Sequence, residues 1–139
     1  MKKMLFLAVL AIGIIFTAIQ ARSLGKQEVP AAVLTAFKQK FPQAAEVEWK
    51  KEKDGNWEAE FEMGEKESEM SATFDPSGKW LETETEISIA DLPVAVKAAV
   101  QGKKVKEASK IMRTDGSTVY EAEVKGKDLL FDANGKTVN

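Results

Sequence analysis

The sequence predicts an α+β fold: a tandem αβ4-type repeat forming one antiparallel sheet of seven or eight strands, with two helices on one face. Three observations predict it. A set of landmarks occurs twice in the same order. Each copy opens with a proline followed by apolar residues at helical spacing, and the rest of each copy alternates apolar and charged residues with period two.

Ahead of the repeats, Met1-Lys2-Lys3 precedes an apolar run from Met4 to Ile19, then Gln20-Ala21. This order of charge, hydrophobic stretch and small residue is that of a signal peptide over 1–21. The run is shorter than the ~20 residues a spanning helix needs. The expectation is export without stable membrane insertion after cleavage, to the periplasm or beyond the cell. Residues 22–139 are then a single domain of two repeats, about 28–87 and 90–139. That length supports a real core without disulfides or metals.

The first copy begins Val29-Pro30-Ala31-Ala32-Val33 and the second Leu92-Pro93-Val94-Ala95-Val96, 63 residues later. Pro30 and Pro93 suit a first helical turn, where the missing N–H costs nothing. Val29, Val33, Ala36, Phe37 and Phe41 form one apolar stripe, stopped by Pro42. Leu92, Val96, Ala99 and Val100 form the other, stopped by Gly102, with Asp91 near the N-cap.

The strands follow by alternation. Val47 and Trp49 oppose Glu46, Glu48 and Lys50, and Asp54-Gly55 is a hairpin signal. Trp57, Ala59, Phe61 and Met63 then oppose Glu58, Glu60 and Glu62, and Met70, Ala72 and Phe74 oppose Glu69, Ser71 and Thr73. After Pro76-Ser77-Gly78, Leu81 and Ile87 face inward, which places Trp80 outward with Glu82, Glu84 and Glu86. In the second copy Lys104–Arg113 alternates poorly, Tyr120, Ala122 and Val124 oppose Glu121 and Glu123, and short strands follow at Leu129–Phe131 and Lys136–Val138. One helix and about four strands are too little for a stable domain. Joined edge to edge, the copies share one apolar sheet face under both helices and leave the other face wet.

The paired motifs Trp57-Glu58-Ala59-Glu60-Phe61 with Tyr120-Glu121-Ala122-Glu123-Val124, and Phe74–Lys79 with Phe131–Lys136, resemble the PepSY-like exported bacterial family, whose fold is similar to the beta-lactamase inhibitor proteins. The resemblance spans Val29 to Val138. It implies a duplicated α+β domain in the cell envelope, inhibitor-like in fold and without catalytic residues.

Composition narrows the chemistry. No histidine and no cysteine exclude Ser-His-Asp and Cys-His catalysis, thiolate zinc sites and disulfides. Lys2 and Lys3 are the leader's only charges, so residues 22–139 carry 18 basic and 22 acidic side chains, a net of −4. That balance, without a basic patch interleaved with aromatics, disfavours nucleic acid. Lys103-Lys104-Val105-Lys106 reads as helix-end charge and a solvated loop. Asp75-Pro76-Ser77-Gly78 and Asp132-Ala133-Asn134-Gly135 lack the full ligand set of a calcium loop and read as hairpin turns.

The informative surface is the wet sheet face. Trp80, Glu58, Glu60, Glu82, Glu84, Glu121 and Glu123 are its candidate binding residues, with no catalytic or metal-ligating residue and no cofactor. The expected function is an exported, non-enzymatic binding module for an envelope protein or peptide of basic character. The alternatives are a hydrolase working through carboxylates alone and a cation-binding envelope protein. The oligomeric state is not legible.

Overall fold

The computed structural model describes residues 28–138. The expected signal peptide lies outside the described residues. Seven strands form one antiparallel sheet in simple sequence order. They are β1 (Ala45–Lys51), β2 (Trp57–Met63), β3 (Ser68–Phe74), β4 (Trp80–Ile87), β5 (Val105–Arg113), β6 (Thr118–Val124) and β7 (Lys127–Phe131). Helix α1 (Ala31–Lys40) precedes β1, and a 3-10 turn over Ile89–Asp91 with helix α2 (Val94–Ala99) separates β4 from β5. The β4–β5 ladder, Glu82 opposite Arg113 to Ile87 opposite Ala108, sews the two copies together.

Both prolines sit one position earlier than expected, as N-caps. Their carbonyls accept the first helical bonds, from Leu34 N–H at 3.1 Å and Lys97 N–H at 2.9 Å. Asp91 closes the 3-10 turn instead of capping α2. The α1 stripe packs as its spacing predicts: Val33, Phe37 and Phe41 are buried with Trp57, Ala59, Phe61, Ala72 and Phe74. In α2, Leu92, Val96 and Val100 pack on Ala108, Ala122 and Phe131, but Ala99 is exposed. Six helical residues are under two turns, so the stripe is narrow.

The Phe-Asp-x-x-Gly-Lys motif has one physical reason in both copies. Asp75 Oδ1 accepts from Ser77 N–H at 2.8 Å and Lys79 N–H at 3.1 Å. Asp132 Oδ1 accepts from Asn134 N–H at 2.9 Å and Lys136 N–H at 3.0 Å. The glycine that follows has positive φ, +89° at Gly78 and +77° at Gly135. A Cβ there would meet a helix carbonyl, Ala32 O at 2.6 Å or Ala95 O at 2.5 Å. The turn therefore serves as a seat for the helix as well as a reversal of the chain. The counterpart of β4 in the second copy is a single bridge, Phe131 to Thr137.

Register irregularities correct two strand phases. Between β3 and β4 the pairing shifts, with Thr73 opposite Glu82 but Phe74 opposite Trp80. Leu81 is the extra residue of this bulge, and Trp80 lies on the helix face. There it packs against the first core cluster, its Nε1–H donates to Thr83 Oγ1 at 2.8 Å, and Lys40 Nζ stands 3.9 Å from its ring centroid. The expectation that Trp80 stands among the glutamates is overturned. A second shift, between Ala45 and Glu48, holds Glu46 at φ +53° instead of in the wet row.

Candidate functional site

The face opposite the helices is built by cross-strand rows. Lys50, Glu58, Thr73, Glu82 and Arg113 run side by side from β1 to β5. The next row is Glu48, Glu60, Ser71, Glu84, Ile111 and Val119. A third is Glu86, Ser109, Glu121 and Leu130, with Glu62 opposite Glu69 at its β2–β3 end. Beyond it Glu123 faces Asp128. The structure thus brings Glu58, Glu60, Glu82, Glu84, Glu121 and Glu123 onto one face and leaves Trp80 off it.

The face was expected to be uniformly wet, and its second half is not. Ile111 is 6% exposed and Val119 4%, side by side across β5 and β6. Ser71 and Ser109 are buried between longer neighbours, and Glu123 is only 7% exposed. These apolar residues on the outward side are why residues 104–113 alternate poorly: Ile111 faces the acids while Lys110 and Met112 share the helix side.

Electrostatics separates the two halves. In the first, Lys50 pairs with Glu60 and adjoins Glu58. Burial works against the Lys50 charge, but the bond and charge of Glu60, with help from Glu58 and Glu52, hold its pKa above the ordinary value. Glu58 is pushed up to about 7 by burial first, then by a hydrogen bond and repulsion from Glu52, with Lys50 opposing. Arg113 Nε lies 3.7 Å from Glu82.

In the second half burial pushes Glu121 up to about 8, with Glu84, Asp128, Glu123 and Glu82 adding repulsion and no cation relieving it. Burial also raises Glu84, against a hydrogen bond with Ser109 that favours its charge. Asp128 is raised by burial and by Glu123. Lys106 Nζ lies 3.7 Å from Glu123 at the rim of this group. The sequence reading missed Asp128 and the apolar pair. Alternation of Asp128 and Leu130 against Leu129 and Phe131 carried the signal for the acid. Among the described residues no group of three or more acids is placed to hold a metal ion.

This fold and face are those of a duplicated, inhibitor-like class of α+β protein. A family model matches twice, over residues 16–70 and 55–139, and the chain belongs to that family, the PepSY-like proteins described as beta-lactamase-inhibitor-like. Among solved structures, a BLIP-like protein of Bacteroides fragilis is 26% identical with a TM-score of 0.68, covering 83% of this chain and 86% of that one. A Bacteroides eggerthii protein described as periplasmic is 21% identical with a TM-score of 0.71, covering 81% and 87%. A DUF2874 family protein of Bacteroides uniformis is 22% identical with a TM-score of 0.71, covering 81% and 88%. No curated protein matches the chain. At these identities the latter two likenesses establish the fold.

Proposed function

We propose that the protein is an exported, non-enzymatic binding module that takes up a basic protein or peptide segment on the open sheet face, in the periplasm. The carrying observation is the uncompensated second half of that face. Glu84, Glu121 and Asp128 all have pKa values raised by burial and mutual repulsion. A guest lysine or arginine set against them converts repulsion into attraction and favours the charged form of each carboxyl. The inhibitor-like family description and the periplasmic description of a similar structure support this reading.

Carboxylate hydrolysis fits less well. The two acids pushed nearest neutrality, Glu58 and Glu121, lie on β2 and β6. Four strand spacings separate them, about 19 Å, whereas glycoside hydrolysis needs its pair within ~5–10 Å.

The test is titration with a short lysine–arginine peptide and an equally long glutamate peptide. The cationic peptide binds, binding weakens as salt rises, and Glu84→Gln with Glu121→Gln weakens it at least tenfold while the thermal transition stays intact. Equal binding of both peptides, or a double variant that binds like the parent, overturns the proposal. Trp80→Ala is unsuited to this test because Trp80 belongs to the core side.

A further inference from the structure

The basic run after α2 acquires partners that the sequence does not show. Val105 pairs with Val124, and Val124 with Lys127, in one row across β5, β6 and β7. Lys104 and Lys106 flank Val105, Lys125 follows Val124, and Lys103 precedes Lys104. Five lysines from two separate segments therefore crowd one corner of the sheet rim, within two strand spacings, about 10 Å. All five are exposed. Lys106 is engaged by Glu107 and Glu123 at 3.9 and 3.7 Å. Among the described residues none of the other four reaches an acid within 4.0 Å.

The duplication supplies an internal control. The equivalent turn of the first copy, between β2 and β3, is Gly64-Glu65-Lys66-Glu67, net acidic. Both turns reverse the chain with a positive-φ glycine, at Gly64 (+87°) and Gly126 (+72°). The lysines are thus no requirement of the turn. An apolar residue joins them: Ile87 ends β4 opposite Ala108, so Ile89 lies beyond the same rim, 41% exposed.

We propose that this corner docks the protein on an anionic phospholipid surface. Lysines beside an exposed isoleucine fit phosphate headgroups over a hydrocarbon boundary, with the ammoniums in the phosphates and the apolar side chain at the interface. The acidic rows do not oppose this contact strongly. Glu121 is four residues along β6 from Lys125, roughly 13 Å, and Glu65 and Glu67 are four strand spacings away, about 19 Å. Both distances exceed the ~10 Å screening length of 0.1 M salt. Glu107, Glu123 and Asp128 are the acids at the corner itself, the first two engaged by Lys106, and Asp91 is exposed two residues from Ile89. Docked this way, the strands stand upright on the membrane and the acidic face stays open to the side. The inference is independent of what that face binds.

Co-sedimentation of residues 22–139 with vesicles decides it, using neutral phosphatidylcholine alone or with a third phosphatidylglycerol. Each lysine near such a surface contributes about fivefold. The protein partitions onto the anionic vesicles at least a hundredfold better than onto neutral ones, and 0.5 M salt removes the difference. Lys103→Gln, Lys104→Gln, Lys125→Gln and Lys127→Gln combined abolish it, with circular dichroism unchanged. Glu84→Gln with Glu121→Gln leaves it in place, which separates this result from the open-face reading. No preference for anionic vesicles overturns the proposal, as does a preference that survives the lysine variant. Tighter binding to a glutamate peptide than to the vesicles also overturns it and makes the corner a protein contact.

Discussion

The two copies share a skeleton and differ in what hangs on it. Val33 and Val96 are fully buried at matching helix positions, as are Ala59 and Ala122 beneath them. Phe74 and Phe131 end β3 and β7, both buried, and Gly78 and Gly135 seat both helices. Around that skeleton the first copy builds an aromatic core. Phe37 stacks at 4.5–7 Å against several rings, with centroids 5.5 Å from Phe41, 5.1 Å from Trp49 and Phe61, and 6.3 Å from Phe74. The second copy answers Phe37 with Val100 and Phe61 with Val124, both buried aliphatics. On the outer face Lys50 meets Glu60 and Glu58 in the first copy, whereas in the second burial and the charges of Glu84, Asp128 and Glu123 push Glu121 up. The difference teaches that anchoring and binding are unevenly divided. The first copy carries more of the apolar burial, and the second holds Glu121, the acid pushed up to about 8.

The largest effect that can break this comparison is in the core. Phe37→Ala removes the aromatic hub and is expected to cost about 4 kcal/mol, against about 2 kcal/mol for Val100→Ala. Urea unfolding measures both, and equal costs would show that the copies anchor the sheet equally. The glycine seats come next. Gly78→Ala and Gly135→Ala each combine a positive φ with a Cβ driven into a backbone carbonyl. Each is expected to cost about 2–3 kcal/mol, with the two values close to one another. Unequal values would mean that one helix shifts away from its turn more readily than the other.

The smallest effect tests the outer face. In the folded state Glu121 holds its proton up to about pH 8, whereas an ordinary glutamate releases it near 4.5. Between those values the native state binds more protons than the unfolded chain, so stability falls as pH rises from about 5 to 8. Partial solvent contact limits this loss to about 1–2 kcal/mol. Thermal unfolding across that range should show the decline, and Glu121→Gln should reduce it, most clearly between about pH 7 and 8, leaving the part that Glu58 contributes. A parent profile already flat over that range removes the claimed contrast between the halves.

Much of this was legible in the sequence, for reasons that particular residues show. Glu58, Glu60, Glu121 and Glu123 were placed on one face because β2 and β6 alternate without interruption opposite Ala59 and Ala122. The duplication gave the sheet its order. Trp80 was misplaced because counting by twos from Leu81 to Ile87 assumes an unbroken strand. The turn held the missing information: Asp75 N–H bonds Lys79 O at 2.9 Å, so the flanking residues Phe74 and Trp80 must be partners on one face. The raised carboxyl pKa values were out of reach, since they depend on rows spanning β4 to β7 and on how deeply each acid sits.

The single bridge that ends the chain's sheet has a consequence for assembly. A fold made by laying one copy edge to edge against another is extensible in principle, because every added unit presents a fresh edge. Here both ends are blunted. On β7, Thr137 bridges Phe131 and Val138 N–H bonds Leu130 O at 3.0 Å, occupying the outer side of the strand. On β1, the irregularity at Glu46 and the charges of Glu48, Lys50 and Lys51 spoil the flat, apolar edge that another strand would need. Two copies are a closed tile: the molecule carries its own stop signals against growing into a ribbon.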